Sequence, residues 1–437
     1  MNIEVRNMQT PAERAAAEQF DRLGANLPGG LSVGAARAEA LARFAASGLP
    51  HRRLEDWKYT DLRALVRDLP EPAKPSGAQI EPETLAGIDA WRIVIVDGGE
   101  PVLPAGLAEA GVTVRPLSEA LESRPDLVSD WPDHSRTPIL DLNTAFASSG
   151  IVLDVPDGVS LGKPVHIACV STSPEPAAVY LRNRVDVGKG ATATIVETFE
   201  GPDGVAYLVD SASRLTVADE GRLTWVKVQV EGDAAIHLAT AAADVGEGAR
   251  LVCAPFTLGA AVSRGQMTVT FVGPDATADI AGVQLLGNRQ HGDTTLFVDH
   301  ALPGSASREQ FKSVLDGRAR GVFQGMILVR PDAQKTDGRM MSQALMLSDG
   351  AEMDNKPELE IYADDVQCGH GATAGRIDED LLFYLRARGI PELQAKALLI
   401  EAFVGESIDL IGDEAIAEAL SAMSHDWVAD HAAAGES

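Results

Sequence analysis

The sequence predicts a mainly β protein in which a β-solenoid core is flanked by helical segments at both ends. The main observation is a recurring unit across residues 150–375, in which a turn with Gly or Asp precedes a strand-length segment. The first five units follow one another at a nearly constant interval, as stacked supersecondary units do. These starts are Gly190, Gly221, Gly248, Asp275 and Gly304, and a further one is Gly350.

The second observation is that no helix-length periodic segment separates these strands. A Rossmann-type sheet is therefore disfavoured, because it needs a helix between successive parallel strands. Stacked units that bury a continuous core explain the pattern better. An irregular β-sandwich with long hairpins remains the alternative.

The region before the solenoid divides into two parts. Residues 1–90 are predicted to be helical, with one helix over 11–23 that starts at a proline and another over 33–47 that stops at Gly48. Residues 51–62 mix charge with large aromatics and are interpreted as a docking turn. Residues 91–150 are predicted to form a short α/β connecting segment, with strands at 92–97 and 112–114.

Helical periodicity returns after the core, which is assigned to residues 151–375. Asp378 is a suitable N-cap for a helix over 379–388, Gly389 ends that helix, and Pro391 begins the next one over 392–404. Residues 376–437 contain 4 Lys or Arg and 13 Asp or Glu, so this region carries a charge of 4 − 13 = −9.

Composition narrows the function. The 437 residues include 37 Lys and Arg against 64 Asp and Glu, a net charge of −27, which argues against a generic nucleic-acid binder because phosphate contacts need clustered positive charge. Aromatic residues make up only 5%, so the core is expected to be aliphatic. The sequence has no signal-like start and no window of 18 apolar residues, and we expect a cytoplasmic location.

The sequence has no complete P-loop, metalloprotease or dinucleotide-binding motif. The segment 158–164 resembles a P-loop but is one residue short between its glycines and ends in Pro164, where the Mg²⁺-binding hydroxyl belongs. HExxH and G-x-G-x-x-G motifs are missing from the sequence. We therefore expect a protein that is not an enzyme and that relies on another chain for energy.

The three cysteines, Cys169, Cys253 and Cys368, allow no disulfide framework and no CxxC zinc pattern. Cys169 and Cys253 lie in apolar strands and are interpreted as core residues. The histidines His166, His237, His291 and His300 are interpreted as surface or hydrogen-bonded residues.

Cys368 and His370 are the one pair with a metal-ligand pattern. In an extended strand their side chains project from the same face, which places a thiol beside an imidazole. Two donors do not complete a tetrahedral site, so a metal site requires further donors from a partner chain. The alternative is a buried cysteine and a hydrogen-bonded histidine at the end of the solenoid.

Five motifs make the chain resemble the SufB/SufD family of iron–sulfur cluster assembly proteins. They cover one N-terminal segment and most of the second half of the chain. They are Glu55-Asp-Trp57-Lys-Tyr59-Thr60, Lys335-Thr-Asp337-Gly338, Lys356-Pro357 with Leu359-Glu-Ile-Tyr-Ala-Asp-Asp-Val366, Cys368-Gly-His370-Gly-Ala-Thr373, and Phe383-Tyr-Leu-Arg386-Ala-Arg388-Gly-Ile390.

The resemblance implies a right-handed parallel β-helix and a non-catalytic role in the SUF system. The implied partners are SufB and the ABC-type ATPase SufC, in a complex that acquires iron and builds a nascent cluster. The SufB branch carries a Cys in the strand that here reads Met340–Leu347 and a His-Glu pair where this chain has His370-Gly371, so the chain is not expected to belong to that branch. His370, with Cys368 as a weaker companion, is then the candidate ligand at the SufB interface, where iron or a cluster would rest transiently.

The resemblance also implies that the C-terminal helices bind the ATPase. Apolar side chains in this polar unit suit a helix-in-groove contact, although some of them are expected to pack the helices on each other. The candidates are Phe383, Leu385, Arg388, Ile390, Leu399 and Phe403.

Two other functions remain as alternatives. One is a SufB-like scaffold that acts as a homodimer. The other is a polysaccharide lyase or hydrolase built on a β-helix, which is disfavoured because such enzymes are usually secreted and place catalytic residues along an exposed groove.

Overall fold

The computed structural model of the chain describes residues 9–132 and 137–434, and within these ranges two nine-stranded sheets wind together into a parallel solenoid. The strands are β1 Trp91–Val96, β2 Thr113–Pro116, β3 Ile151–Val155, β4 Val165–Val170, β5 Ala178–Val187, β6 Thr192–Glu200, β7 Leu208–Val217, β8 Arg222–Gln229, β9 Ile236–Val245, β10 Arg250–Thr257, β11 Val262–Phe271, β12 Thr277–Leu286, β13 His291–His300, β14 Ala306–Leu315, β15 Arg320–Val329, β16 Asp337–Met346, β17 Glu352–Ile361 and β18 Gln367–Gly375.

The two sheets alternate along the chain. Sheet A has the order β17-β15-β13-β11-β9-β7-β5-β3-β2, and sheet B has the order β1-β4-β6-β8-β10-β12-β14-β16-β18. Each turn adds one parallel strand to each sheet, giving about eight turns from β3 and β4 to β17 and β18; only β2 pairs antiparallel, with β3. The predicted β-solenoid is therefore confirmed, and the β-sandwich alternative is wrong because neighbouring strands are parallel and belong to successive turns.

The register explains the sequence period. Ile236 pairs with Val262 and Arg320 pairs with Glu352, so the spacing between paired residues is the length of one turn. This spacing varies little along the solenoid, which is why the turn signals recur almost regularly in the sequence. Gly350 breaks the predicted series because it precedes β17 in sheet A, whereas the other five starts precede strands of sheet B.

A left-handed residue stands two positions before each sheet B strand from β6 to β16, with φ between 56° and 77°. Glycine adopts this conformation without a Cβ penalty, and Asp tolerates it better than most side chains. Glu220 and Lys335 also occupy it, so the second predicted start lies one residue after the left-handed position. The residues are Gly190, Glu220, Gly248, Asp275, Gly304 and Lys335.

The core lies between the sheets and is mainly aliphatic. Along one inward row of sheet B, Ile195, Trp225, Cys253 and Ile280 occupy successive strands and are buried. Cys169 is buried in the same cluster, which confirms the expected core role of both cysteines.

Helices cover the outer face of each sheet. The N-terminal helices pack on sheet A, and the C-terminal helices pack on sheet B. The helix predicted over 11–23 is confirmed, whereas the second begins at Gly30, earlier than expected. The helices are α1 Pro11–Leu23, α2 Gly30–Ser47, α3 Leu62–Leu65, α4 Leu117–Ser123, α5 Pro138–Phe146, α6 Glu379–Ala387, α7 Glu392–Ile408 and α8 Glu414–Ala434.

Across the described part of the chain, no helix combines the length and the apolar character needed to span a bilayer.

Candidate functional site

The solenoid ends in two edge strands, β17 in sheet A and β18 in sheet B. Every residue of these strands is exposed or half-buried, whereas β14 and β15 of the preceding turns are mostly buried. No strand among residues 9–132 and 137–434 pairs with their outer edges, so both present unpaired backbone groups. This open end is the natural place for another chain to continue the sheets.

Cys368 and His370 lie on β18, opposite Gly338 and Met340 of β16. The strand is extended, as the sequence predicted, so both side chains point to the same side of sheet B. Cys368 is half-buried and packs against the core, whereas His370 is exposed. The structure thus places the two candidate ligands side by side at the open end.

Burial raises the pKa of the Cys368 thiol, and the negative charges of Asp337 and Glu309 raise it further, while the Gly338 amide partly offsets them. The thiol therefore keeps its proton until a cation replaces it. No group of three or more potential metal ligands occurs in the described ranges, so the pair does not form a complete site.

A groove of about 760 Å³ surrounds this pair. It runs along the ends of β12, β14, β16 and β18 and is bounded on one side by Leu410, which follows α7. Arg308 contributes positive charge and is held 2.5 Å from Asp337, which also lies 3.2 Å from Arg339. The groove also contains Glu309, a residue that sequence reasoning did not select.

Glu309 is 2% exposed, and neither of its carboxylate oxygens has a well-formed hydrogen bond among the described residues. Burial raises its pKa to about 8, and the nearby Ser307 hydroxyl and the Arg308 charge offset this only in part. No sequence signal marked this residue, because its strand alternates polar residues on both faces. A buried carboxyl without a partner in a cleft is a functional candidate on physical grounds.

The six predicted docking residues are distributed over α6, its C-terminal end and α7. Phe383 is 73% exposed, and Arg388 stacks on the exposed Tyr384 ring at 3.6 Å. Leu385 and Ile390 are half-buried. Sequence reasoning missed further exposed apolar residues on α6 and α7, namely Leu381, Tyr384, Leu393 and Leu398.

Phe403 and Leu399 are placed differently. Phe403 packs against the apolar cluster between α7 and sheet B, and Lys312 Nζ lies 4.5 Å above its ring. Lys312 is 2% exposed, and its Nζ donates to Glu406 at 2.7 Å and to Gln343 at 2.6 Å. Leu399 is half-buried on the same helix. Phe403 therefore belongs to the contact that holds α7 on the solenoid.

The segment Glu55–Thr60 docks on the outer face of sheet A. Trp57 is buried and covers the guanidinium of Arg264, which lies 3.8 Å from the centre of its ring. Arg264 pairs with Asp293 and donates to the Asp56 carbonyl at 2.7 Å, and Thr60 donates to Asp293. The predicted docking turn is confirmed, and Trp57 has a structural role.

The solenoid interior also holds a chain of ionisable groups that the sequence did not indicate. Lys227 Nζ lies 2.6 Å from His237 Nε2, and His237 Nδ1 lies 2.7 Å from Glu231. Burial lowers the pKa of Lys227 to about 8. Nearby, Glu197 accepts from Ser213 at 2.9 Å. These contacts pair ionisable groups within the core, although Glu231 Oε1 has no hydrogen-bond partner among the described residues.

The four histidines interpreted as hydrogen-bonded or surface residues each have a polar partner. His166 Nε2 lies 2.8 Å from Thr198, and His291 Nε2 lies 2.8 Å from Thr60. His300 Nε2 lies 2.9 Å from Ser307. Ser307 is aligned with Cys368 in sheet B, two strands away.

Two family models match the chain. The model described as "SUF system FeS cluster assembly, SufBD core domain" matches residues 169–403, more than half of the chain, and the model of the SufBD protein N-terminal region matches residues 95–167.

Curated relatives give the same result. The chain is 31% identical to iron–sulfur cluster assembly protein SufD of Escherichia coli over 381 residues, covering 86% of this chain and 88% of that protein. It is 30% identical to a SufBD family protein of Synechocystis over 83% of this chain and 84% of the relative. A SufBD family protein of Mycobacterium tuberculosis is 31% identical over 86% and 88% of the respective chains.

Proposed function

Because the chain belongs to the SufBD family of iron–sulfur cluster assembly proteins, we propose that it is the SufD-type, non-catalytic subunit of a cytoplasmic SUF complex. In this role it pairs with a SufB-type subunit and a SufC-type ATPase and helps to acquire iron for a nascent cluster. The observation that carries the proposal is the open end of the solenoid, where two unpaired strand edges and the pair Cys368 and His370 occur together.

The SufB-type partner is assigned to this open end. The edges of β17 and β18 offer unpaired main-chain donors and acceptors, which a second parallel solenoid can use to extend both sheets. Such a partner would stand beside Cys368 and His370 and supply the donors that this chain lacks. When two subunits share the ligands of one site, each subunit alone carries only part of the set, as this chain does.

Iron, or the growing cluster, is the cargo of this site. A thiolate suits iron–sulfur chemistry, and an imidazole is a ligand for iron. Since burial raises the pKa of the Cys368 thiol, binding must displace a proton, which weakens the hold on the cargo at neutral pH. We therefore propose transient binding at the SufB interface and no cofactor bound stably by this chain alone.

The ATPase is assigned to the C-terminal helices. Phe383, with Leu381 and Tyr384 on the same helix, presents exposed apolar surface in a unit that is otherwise strongly acidic. Exposed aromatic and aliphatic side chains on a helix are suitable anchors for a groove on a partner. Leu385, Arg388 and Ile390 extend the same surface.

The test is to co-express the chain with SufB-type and SufC-type proteins of its own organism and isolate the complex. Gln367 N donates to Thr336 next to β16, so by the alternation of a parallel ladder the amide of Ala372 points to the free edge. Ala372→Pro should prevent pairing with the SufB-type subunit, whereas the matched control Ala372→Ser keeps the amide and should pair normally.

Unchanged pairing of Ala372→Pro would remove β18 from the interface. Failure of the wild-type chain to co-purify with either partner would contradict the proposed complex. A homodimer of this chain that assembles a cluster without a SufB-type subunit would instead support the homodimeric scaffold.

A further inference from the structure

Glu309 lies in the same inward row of sheet B as His370. The row runs from Ile280 to Glu309, Met340 and His370 on four successive strands. At about 4.8 Å between strands, the Cα atoms of Glu309 and His370 are about 9.6 Å apart. The described residues contain no group of three potential metal ligands, so Glu309 is not placed to bind directly the ion held by Cys368 and His370.

Met340 stands between them in this row and is buried. Its sulfur lies against Gly325 on the opposite sheet, at a position that a Cβ on that glycine would overlap. The Met340 side chain therefore extends across the core, and a connection from Glu309 to Cys368 and His370 must pass beside it.

A small space lies in the adjacent row. Ser307, Gly338 and Cys368 are aligned on three strands, and Gly338 has no side chain to separate its neighbours. A Cβ at Gly338 would lie 3.4 Å from the Ile327 side chain and 3.5 Å from Ser307 Oγ, both ordinary contact distances, so a group of methyl or water size fits between Ser307 and Cys368. Gly338 belongs to one of the motifs singled out in the sequence, and the partner-binding surfaces do not use it.

The core side of β14, two strands from Cys368 and His370, carries the polar residues Ser307 and Glu309, although Ile280 on the preceding strand is apolar. The two carboxylate oxygens of Glu309 lack a well-formed hydrogen bond, and the buried His300 ring contacts Ser307 through Nε2 while its Nδ1 has no partner in the described ranges. A buried carboxyl without such a bond disfavours folding. Such groups concentrate where a ligand or ordered water completes them.

We infer that the site of Cys368 and His370 continues inward to Glu309, whose carboxylate binds, through a bridging water, the divalent cation held by the other two residues. This inference rests on the proposed role of Cys368 and His370 in binding iron. The water accounts for the separation along the row, and the groove of about 760 Å³ that these three residues line has room for it.

The assignment gives Glu309 a positioning role. Hydrogen bonds from residues behind the direct ligands orient a metal-bound water and add negative charge near the cation. The raised pKa of Glu309 supports this, since a cation would favour loss of the proton that burial retains.

The test is titration with Co²⁺ of the purified complex between the full-length chain and its SufB-type partner, which supplies the missing donors, under anaerobic conditions and followed by visible absorption. In the wild type, a thiolate-to-cobalt charge-transfer band should appear, and Cys368→Ala should weaken it. Glu309→Gln should weaken Co²⁺ binding by about 10- to 100-fold while the band at saturation is retained, because the carboxylate is not a direct ligand. Gly338→Ala, which fills the small space between Ser307 and Cys368, should weaken binding in the same direction.

The matched control is Glu352→Gln, an exposed carboxylate on the other edge strand, which should leave Co²⁺ affinity unchanged. Equal affinity of wild type and Glu309→Gln would overturn the inference while leaving the site of Cys368 and His370 intact. A wild-type complex that shows no charge-transfer band, or one unaffected by Cys368→Ala and His370→Ala, would overturn the metal-binding site itself.

Discussion

Arg264 and Asp293, on the neighbouring strands β11 and β13, form a fully buried ion pair on the outer face of sheet A. Arg264 also lies under the Trp57 ring and donates to the Asp56 carbonyl, so the pair holds the N-terminal segment Glu55–Thr60 on the solenoid. A motif shared with the family therefore fixes the position of a connecting segment.

Arg264→Ala should lower the free energy of unfolding by about 3–5 kcal/mol, since it leaves Asp293 buried without its counter-charge. Equilibrium denaturation would measure the change. The control is Arg376→Ala, which removes an exposed pair with Asp349 and should cost less than about 1 kcal/mol. A similar decrease in the free energy of unfolding in both variants would contradict the prediction that the buried pair contributes more to stability than the exposed one.

Phe383→Ala should weaken binding of the SufC-type ATPase at least about tenfold. The reason is that truncating an aromatic anchor that becomes buried at an interface typically costs about 2 kcal/mol or more of binding free energy. Surface plasmon resonance with the purified ATPase would give the dissociation constant. Leu31→Ala, at a fully exposed leucine of the N-terminal helices, is the control and should bind as the wild type does. A normal affinity for Phe383→Ala would place the docking surface elsewhere.

His370→Ala should reduce the iron content of the isolated complex without reducing the amount of partner proteins that co-purify. The reason is that His370 is exposed and contributes a donor, not packing, to the open end. Iron and acid-labile sulfide per complex are the measurements, with His51→Ala in the N-terminal turn as the control. Unchanged iron in His370→Ala would exclude this residue from the site.

Glu309 should make stability depend on pH. Burial raises the folded-state pKa to about 8 from its ordinary value of 4.5, so between these values the native chain keeps a proton that the unfolded chain has lost. The free energy of unfolding therefore falls as pH rises through this window, by up to about 1.4 kcal/mol per pH unit, and levels off above the folded pKa.

Glu309→Gln should remove that contribution. The difference in unfolding free energy between Glu309→Gln and the wild type, measured by denaturation from pH 5 to pH 9, isolates Glu309 from other buried carboxyls such as Glu197. A difference that does not vary with pH would contradict the raised pKa.

Glu406→Ala should destabilise the contact of α7 with sheet B by about 1–3 kcal/mol, because Lys312 would stay buried without a counter-charge. Lys312→Met should be milder, since an apolar side chain of similar length can replace the buried charge beside Phe403. Hydrogen exchange of α7 and equilibrium denaturation would report both effects. Greater loss in Lys312→Met than in Glu406→Ala would contradict this assignment.

The architecture could be predicted because the turn chemistry repeats. Gly190, Gly248 and Gly304 each supply the left-handed residue that precedes a strand of sheet B. At Glu220 the glycine signal lies one residue later, and Lys335 occupies the same position without a glycine, so the series has a gap there. The end of α7 and the whole of α8 were not placed, because their buried faces are defined by sheet B and not by a strong helical period.

The candidate site could be predicted in part. Cys368 and His370 stand two positions apart in a strand, so their common face follows from strand geometry. Glu309 could not be found in this way. Its strand reads Ala-Ser-Arg-Glu-Gln-Phe-Lys from Ala306, where polar residues occupy both faces and the alternation does not show which side is inside.

The N-terminal segment has a consequence for the order of folding during synthesis. Successive strands of each sheet are only about one turn apart in sequence, so the solenoid can grow turn by turn as it leaves the ribosome. Glu55, however, bonds Lys356, which lies near the far end of the solenoid. Trp57 and Asp56 can therefore dock once Arg264 and Asp293 have emerged, whereas the contact of Glu55 with Lys356 forms only after nearly the whole solenoid has been synthesised.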